Sequence, residues 1–230
     1  MKILIKLSGE GLSDGSSKYS EQILNEIADK IKILLNKNYK IAMVVGGGNL
    51  FRGADLSGKL SIERPTGDYI GMLATVQNAL VLRDFFEAQG IQTRISSAIT
   101  MTQITEPYIP KRAERHMDKG RVVIFAAGLG SPFFSTDSAA AQRALELEVD
   151  YLIMAKNGVD GVYDSDPKTN PEAKKLASLS CSQVLKEHLK IADASAISIA
   201  RDHKLKIKVI SIDDLDKIDD ENVGSLVLPE

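Results

Sequence analysis

Three short segments of this chain combine clustered glycines with a charged side chain. They are "KLSGEG" (6–11) with Lys6, "GGGNLFRG" (46–53) with Arg52, and "GLGSPFFSTDS" (128–138) with Asp137. Glycine weakens regular structure, so a cluster of it needs a local cause. One cause is a tight turn from strand to helix. Another is an anion: N–H groups free of side chains approach phosphate oxygens closely, and a following helix adds the positive end of its dipole. A turn explains any one cluster as well as a phosphate does, but recurrence beside Lys6 and Arg52 favours phosphate. Lys6 reads either as a solvated strand-end residue or as a point charge on a phosphoryl group. Arg52 reads either as a surface helix residue or as a planar fork on a polyphosphate. Asp137 has two compatible readings, a helix-start carboxylate and a group that positions Lys6 or holds a metal through water. Asp68 in "PTGDYIG" is a helix-start residue or an acceptor for ligand hydroxyls.

The pattern matches neither of two common phosphate motifs. No G-x-x-x-x-G-K-[ST] occurs, and "GGGNLFRG" lacks the G-x-G-x-x-G spacing. The segment "DGVYDSDP" (160–167) reads by itself as a turn, although Tyr163 has the ring to stack on a base and Asp166 the oxygens to accept from a ribose or position a metal. His116, His188 and His203 lie outside the glycine motifs and lack metal-ligand spacing.

The elements that position these residues alternate along the chain. Short apolar runs predict strands over 2–7, 40–45, 91–95, 121–126, 151–155, 206–211 and 224–228. Apolar residues at helical spacing predict helices after Ser20 and over 68–89, 110–119, 137–148, 182–189 and 194–203. Strands separated by helices imply βαβ units and a mainly parallel sheet covered on both faces, with ligands at the carboxyl ends of the strands. All three glycine segments follow such ends. The polar stretch 156–180 is longer than a routine connection and reads as a functional loop or a weak internal boundary.

Composition narrows the class. With 29 basic and 31 acidic residues, the net charge of −2 gives no overall basic field for nucleic acid. The one cysteine, Cys181, excludes an intrachain disulfide and fits a reducing compartment. Lys6 interrupts the apolar start and no cleavage-site pattern follows, and no window approaches ~18 apolar residues. The expectation is a cytoplasmic protein that does not enter a membrane.

Taken together and in order, "KLSGE", "GGGNLFRG", "GDYIGMLATVQNALVLRD", "GLGSPFFSTDSAA", "NGVDGVYDSDP" and "ARDHKLKIKVI" resemble the motifs of the bacterial uridylate kinases of the amino acid kinase superfamily. The resemblance implies an α/β fold, a three-layer αβα sandwich with a mainly parallel central sheet. It implies one domain over 1–230, with an acceptor half near 1–150 and a nucleotide half near 151–230. ATP with Mg2+ would be donor, UMP acceptor and UDP product, in a homohexamer built as a trimer of dimers. Lys6, Leu7, Ser8, Gly9, Gly48 and Arg52 would contact ATP, with Asn157, Tyr163 and Asp166 on its adenosine side. Gly47, Asp68, Leu129, Gly130, Ser131, Pro132, Phe133, Phe134, Ser135 and Thr136 would contact UMP. Lys6 and Asp137 would form the catalytic pair with Arg52 beside them, and no direct metal ligand is assigned.

The family pattern is not followed everywhere. Asn157 stands where threonine is common, and Leu129 where a polar residue is common, which leaves a main-chain contact there. UTP is a candidate feedback inhibitor. The short polar segment 12–20 does not support carrying over the family's GTP activation. Relatives that phosphorylate acetylglutamate or carbamate would share the donor half but not the acceptor segments around Asp68 and 129–136. A nucleotide-binding assembly without turnover could dispense with the pair of Lys6 and Asp137.

Overall fold

Each predicted strand of the sheet reads apolar on both faces because it is covered on both. The structure, a computed structural model of the chain, describes residues 1–51, 61–167 and 169–230. The main elements in order are β1 (Lys2–Leu7), α1 (Glu21–Asn36), β2 (Lys40–Val45), α2 (Arg64–Ala88), β3 (Thr93–Ser97), β4 (Glu106–Pro107), α3 (Pro110–Asp118) and β5 (Val122–Ala126). They continue with α4 (Thr136–Glu146), β6 (Tyr151–Lys156), β7 (Val162–Tyr163), β8 (Lys175–Leu176), β9 (Ser178–Ser180), α5 (Cys181–Lys186), α6 (Ala194–Asp202), β10 (Ile207–Ser211) and β11 (Ser225–Leu228). Single 3₁₀ turns cover Gly9–Leu12 and Ile212–Lys217.

Among the described residues, nine strands form one sheet in the order β4-β3-β5-β2-β1-β6-β10-β11-β9, and β7 pairs with β8 in a small hairpin. Within the nine-stranded sheet the described pairings are parallel except that of β10 with β11. Successive strand residues point to opposite faces, so the sheet divides two cores. Ile3, Ile5 and Leu7 of β1 pack with α1 and α2. Leu4 of the same strand packs with residues of α3, α4, α5 and α6 on the other face. This is the expected three-layer αβα sandwich.

Three expectations shift in detail. α2 begins at Arg64, four residues before the predicted start at 68, because its first turn carries Pro65 but none of the apolar periodicity. The strand predicted over 91–95 lies at Thr93–Ser97. The stretch read as one long loop contains β7, β8 and β9, which at two or three residues each are too short to show a period. Among the described residues, no helix is long and apolar enough to cross a membrane.

Candidate active site

Lys6 is the next-to-last residue of β1, and the alternation of the strand puts it on the face of Leu4. That face is covered by α4, whose first turn holds Asp137. Lys6 Nζ lies 2.7 Å from Asp137 Oδ1, with the two side chains 13% and 18% exposed. Sequence alone left Asp137 as a possible cap, but the cap of α4 is Ser135. Its Oγ accepts from the N–H of Asp137 at 3.0 Å and of Ser138 at 3.1 Å. The Asp137 carboxylate is therefore free to face Lys6. Apart from the Lys6 ammonium at 2.7 Å, the buried Oδ1 has no partner among the described residues. A buried carboxylate oxygen held by one ammonium alone keeps a lone pair for a metal-bound water.

A second lysine reaches the same place and was missed by the sequence reading. In the pairing of β1 with β6, Lys6 stands opposite Met154. Lys156 is two residues further along β6, hence on the same face one pleat on. Burial holds the Lys156 ammonium below the usual lysine range, the neighbouring Lys6 charge lowers it further, and Asp137 opposes both. Its Nζ donates to the Ile191 carbonyl. The available signal was the parallel between "KLSG" and "AKNG", a lysine next to the end of each apolar strand.

The glycine loops at the ends of β1 and β2 fit against each other. A Cβ on Gly9 would lie 2.6 Å from Gly48 N and 2.8 Å from Gly46 O, and one on Gly47 would lie 2.8 Å from Ala74 Cβ and 2.9 Å from Gly71 O. Bare backbone is thus required at Gly9 and Gly47 by protein neighbours. Gly48 differs: its nearest contact would be Glu10 Cγ at an ordinary 3.6 Å. Below the loop, Asn78 of α2 is fully buried and donates to the Gly46 carbonyl at 2.6 Å and to Asn49 Oδ1 at 2.7 Å. Leu7 is buried in the core, and Ser8 caps the 3₁₀ turn by accepting from Gly11 N. Arg52 lies outside the described residues.

The loop after β5 is shaped by its dihedrals. Ala127, Gly128, Gly130 and Phe133 have φ of 60°, 56°, 74° and 70°. Thr75 Oγ1 accepts from Ala127 N at 2.8 Å. Asp68 Oδ2 accepts from Phe133 N at 2.9 Å while Oδ1 accepts from Arg64 Nε at 2.9 Å, which places Asp68 against the predicted acceptor segment. Leu129 and Pro132 are half-buried, Ser131 is exposed, and Thr136 opens α4. Phe133 and Phe134 are 69% and 53% exposed, a heavy apolar exposure at the mouth of the site. Asp193, the cap of α6, accepts from the hydroxyls of both Ser135 and Ser138 and so ties α6 to the start of α4.

Tyr163 and Asp166 line one cavity of about 470 Å³ together with Lys156, His188, Ile191 and Val209. That volume and the mixed lining suit a nucleoside-sized ligand. Tyr163 donates its hydroxyl to Asp160 Oδ1 at 2.7 Å, which raises the phenol pKa and lowers that of Asp160. Asn157 is exposed and opens instead on a shallower depression with Glu10, Ser13, Asp14 and Asn49. The residues predicted for the adenosine side therefore divide: Tyr163 and Asp166 share a cavity, and Asn157 faces the glycine loop. His188, given no role from sequence, is a wall residue of that cavity. Among the described residues, no group of three or more His, Cys, Asp or Glu could hold a metal.

A lysine–aspartate pair at the carboxyl ends of parallel strands, between glycine loops and beside a nucleoside-sized cavity, has the parts for phosphoryl transfer by charge neutralisation. The amino acid kinase family profile matches residues 1–211, and the chain belongs to that family. Within it, the chain is similar to the uridylate kinase of Streptomyces avermitilis, with 53% identity over 92% of this chain and 84% of that one. The uridylate kinase of Cutibacterium acnes is 51% identical over 92% of this chain and 89% of its own length. Among solved structures, the UMP kinase from Bacillus anthracis superposes with a TM-score of 0.95 at 36% identity, covering 100% of this chain and 96% of that one. The UMP kinase from Ureaplasma parvum gives 0.87 at 33% identity over 99% and 97% of the two chains.

Proposed function

We propose that this chain is a UMP kinase, which reversibly transfers the γ-phosphoryl group of ATP to UMP to give UDP and ADP in pyrimidine nucleotide biosynthesis. The observation that carries the chemistry is the Lys6–Asp137 pair, 2.7 Å apart, with Lys156 one pleat away. The names of relatives about half identical over nearly the whole chain carry the choice of UMP.

The UMP phosphate, with a second pKa near ~6, is already an anionic nucleophile at neutral pH. No general base is needed. The obstacle is repulsion between two polyanions that must meet in line, so catalysis is positioning and neutralisation. Lys6 neutralises the phosphoryl group in flight, Asp137 orients Lys6, and Lys156 adds a second positive charge from the donor side. Ser8, Gly9, Gly48 and the main chain of Leu7 hold the donor phosphates, and Arg52 keeps the role its motif implies. Tyr163 and Asp166 hold the nucleoside end of ATP, with Asn157 nearer the phosphates. Gly47, Asp68 and 129–136 hold UMP. The Asp137 carboxylate would hold Mg2+, carried in with ATP, through a bound water. When bound, that ion spreads the charge of the phosphates.

This divides the single domain into an acceptor half near 1–150 and a nucleotide half near 151–230. A cytoplasmic homohexamer completes the reading. Self-association is supported by the outer face of α2, where Tyr69 and Leu73 are 44% and 45% exposed. UTP is its expected feedback inhibitor, and GTP activation is not part of the proposal. ADP release measured with UMP, CMP, acetylglutamate and carbamate tests the function. Turnover with UMP is expected to exceed the others, and equal or greater turnover with any of them refutes it.

A further inference from the structure

One stripe of α2 faces both loops of the site. Asp68, Gly71, Thr75 and Asn78 follow at spacings of three and four, hence on one side of the helix. Each touches loop backbone. Asp68 accepts from Phe133 N, and Thr75 Oγ1 accepts from Ala127 N at 2.8 Å. Gly71 O lies where a Cβ on Gly47 would be only 2.9 Å away, and Asn78 Nδ2 donates to Gly46 O at 2.6 Å. Thr75 is 6% exposed and Asn78 fully buried, so both act through what they hold.

We infer that Thr75 and Asn78 are positioning residues, and that α2 is the ruler that sets the spacing between the glycine loop after β2 and the acceptor loop after β5. The inference rests on the reading that these loops hold the two nucleotides. Thr75 donates its own hydroxyl proton to Met72 O at 2.7 Å, which leaves a lone pair aimed at Ala127. Ala127 is buried at φ 60°, a conformation that residues with a side chain avoid, so its N–H needs a fixed acceptor. Asn78 is saturated: besides Gly46 and Asn49 Oδ1, its oxygen accepts from Tyr19 Oη at 2.8 Å and Asn49 Nδ2 at 3.2 Å. Each residue holds the first residue after a strand, where a small rotation moves the whole loop. Misplacing one substrate by a fraction of its length costs rate steeply in a reaction that depends on alignment.

The test compares wild type, Thr75→Val, Thr75→Ser and Asn78→Ala by peptide-resolved hydrogen–deuterium exchange without ligand and by steady-state kinetics with UMP and ATP. Valine keeps the volume of threonine and removes the acceptor. Thr75→Val is expected to speed exchange in 127–135 and raise the KM for UMP about tenfold, with exchange in 44–51 and the KM for ATP within about twofold of wild type. Thr75→Ser should restore both. Asn78→Ala should speed exchange in 44–51 and raise the KM for ATP, with little change of exchange in 127–135. If Asn78→Ala does not fold, Tyr19→Phe, which strips one donor from Asn78, serves in its place. Exchange that rises uniformly in both loops, or a lowered Tm with both KM values unchanged, overturns the inference. Absence of UMP-dependent turnover in the wild type would instead refute the substrate reading, and the exchange pattern would still decide the role of α2.

Discussion

The loop after β2 and the loop after β5 both announce themselves by glycine, yet for opposite physical reasons. At Gly47, and at Gly9 in the turn after β1 that packs against this loop, φ lies outside the left-handed region, and it is the neighbours that leave no space: a Cβ would meet protein atoms at 2.6 to 2.9 Å. At Gly128 a Cβ would touch nothing closer than Ala139 Cβ at 4.0 Å, but φ is +56°. Gly130 combines φ +74° with a milder contact at 3.2 Å. The first loop is packed and the second is bent. A packed loop holds its amides by its surroundings, whereas a bent one holds them by its own conformation and leaves Phe133 and Phe134 out in solvent. Among the three glycines 46–48, Gly48 alone has ordinary room for a Cβ.

The comparison can be sharpened by separating chemistry from scaffolding. Lys6→Ala should lower kcat by ~10²-fold or more with modest change in nucleotide binding, because it removes charge between the loops and leaves both in place. A near-normal kcat would strip Lys6 of its role. Gly47→Ala should cost about 3 kcal/mol in denaturant unfolding, the upper end for overpacking, since the atoms it meets are helix backbone and a core methyl. Gly130→Ala should cost about 1–2 kcal/mol, mainly from its left-handed backbone. If the two glycine variants were reversed in order, the distinction between packed and bent would fail. The smallest effect concerns Lys156, whose buried ammonium is held below its usual pKa. A lowered lysine pKa penalises the folded state fully below the folded value, and the penalty is relieved as pH rises toward the unfolded value. Lys156→Met should therefore raise Tm at neutral pH while lowering kcat, with a gain in Tm that fades toward pH ~10. A lower Tm would show that the bond to Ile191 outweighs desolvation.

Much of this was legible from the chain because strand ends and glycines are local signals. β2, β5 and β6 follow uninterrupted apolar runs and β1 a run broken at Lys6, and Lys6 and Asp137 belong to the glycine segments that follow such runs. Meeting at 2.7 Å could not be read locally, since it depends on which face of β1 lies under α4. Thr75 and Asn78 escaped for a related reason: α2 is apolar on most of its circumference, so polar residues that face inward look like ordinary helix residues. Lys156 was hidden by the polar stretch that follows it, which drew attention as a loop instead of as the end of a strand. The start of α2 was missed because a proline opens it without any apolar residue to mark the turn.

The margins of the sheet have one more consequence. Nine strands side by side would ordinarily leave two long rows of unpaired amides and carbonyls on which another chain could lay a strand. Here the flanks are stubs, β4 of two residues with Pro107 as one of them and β9 of three. A proline brings no donor, and three residues make a poor template for pairing. Among the described residues, so wide a ribbon thus ends on both sides in strands too short to template a long added strand.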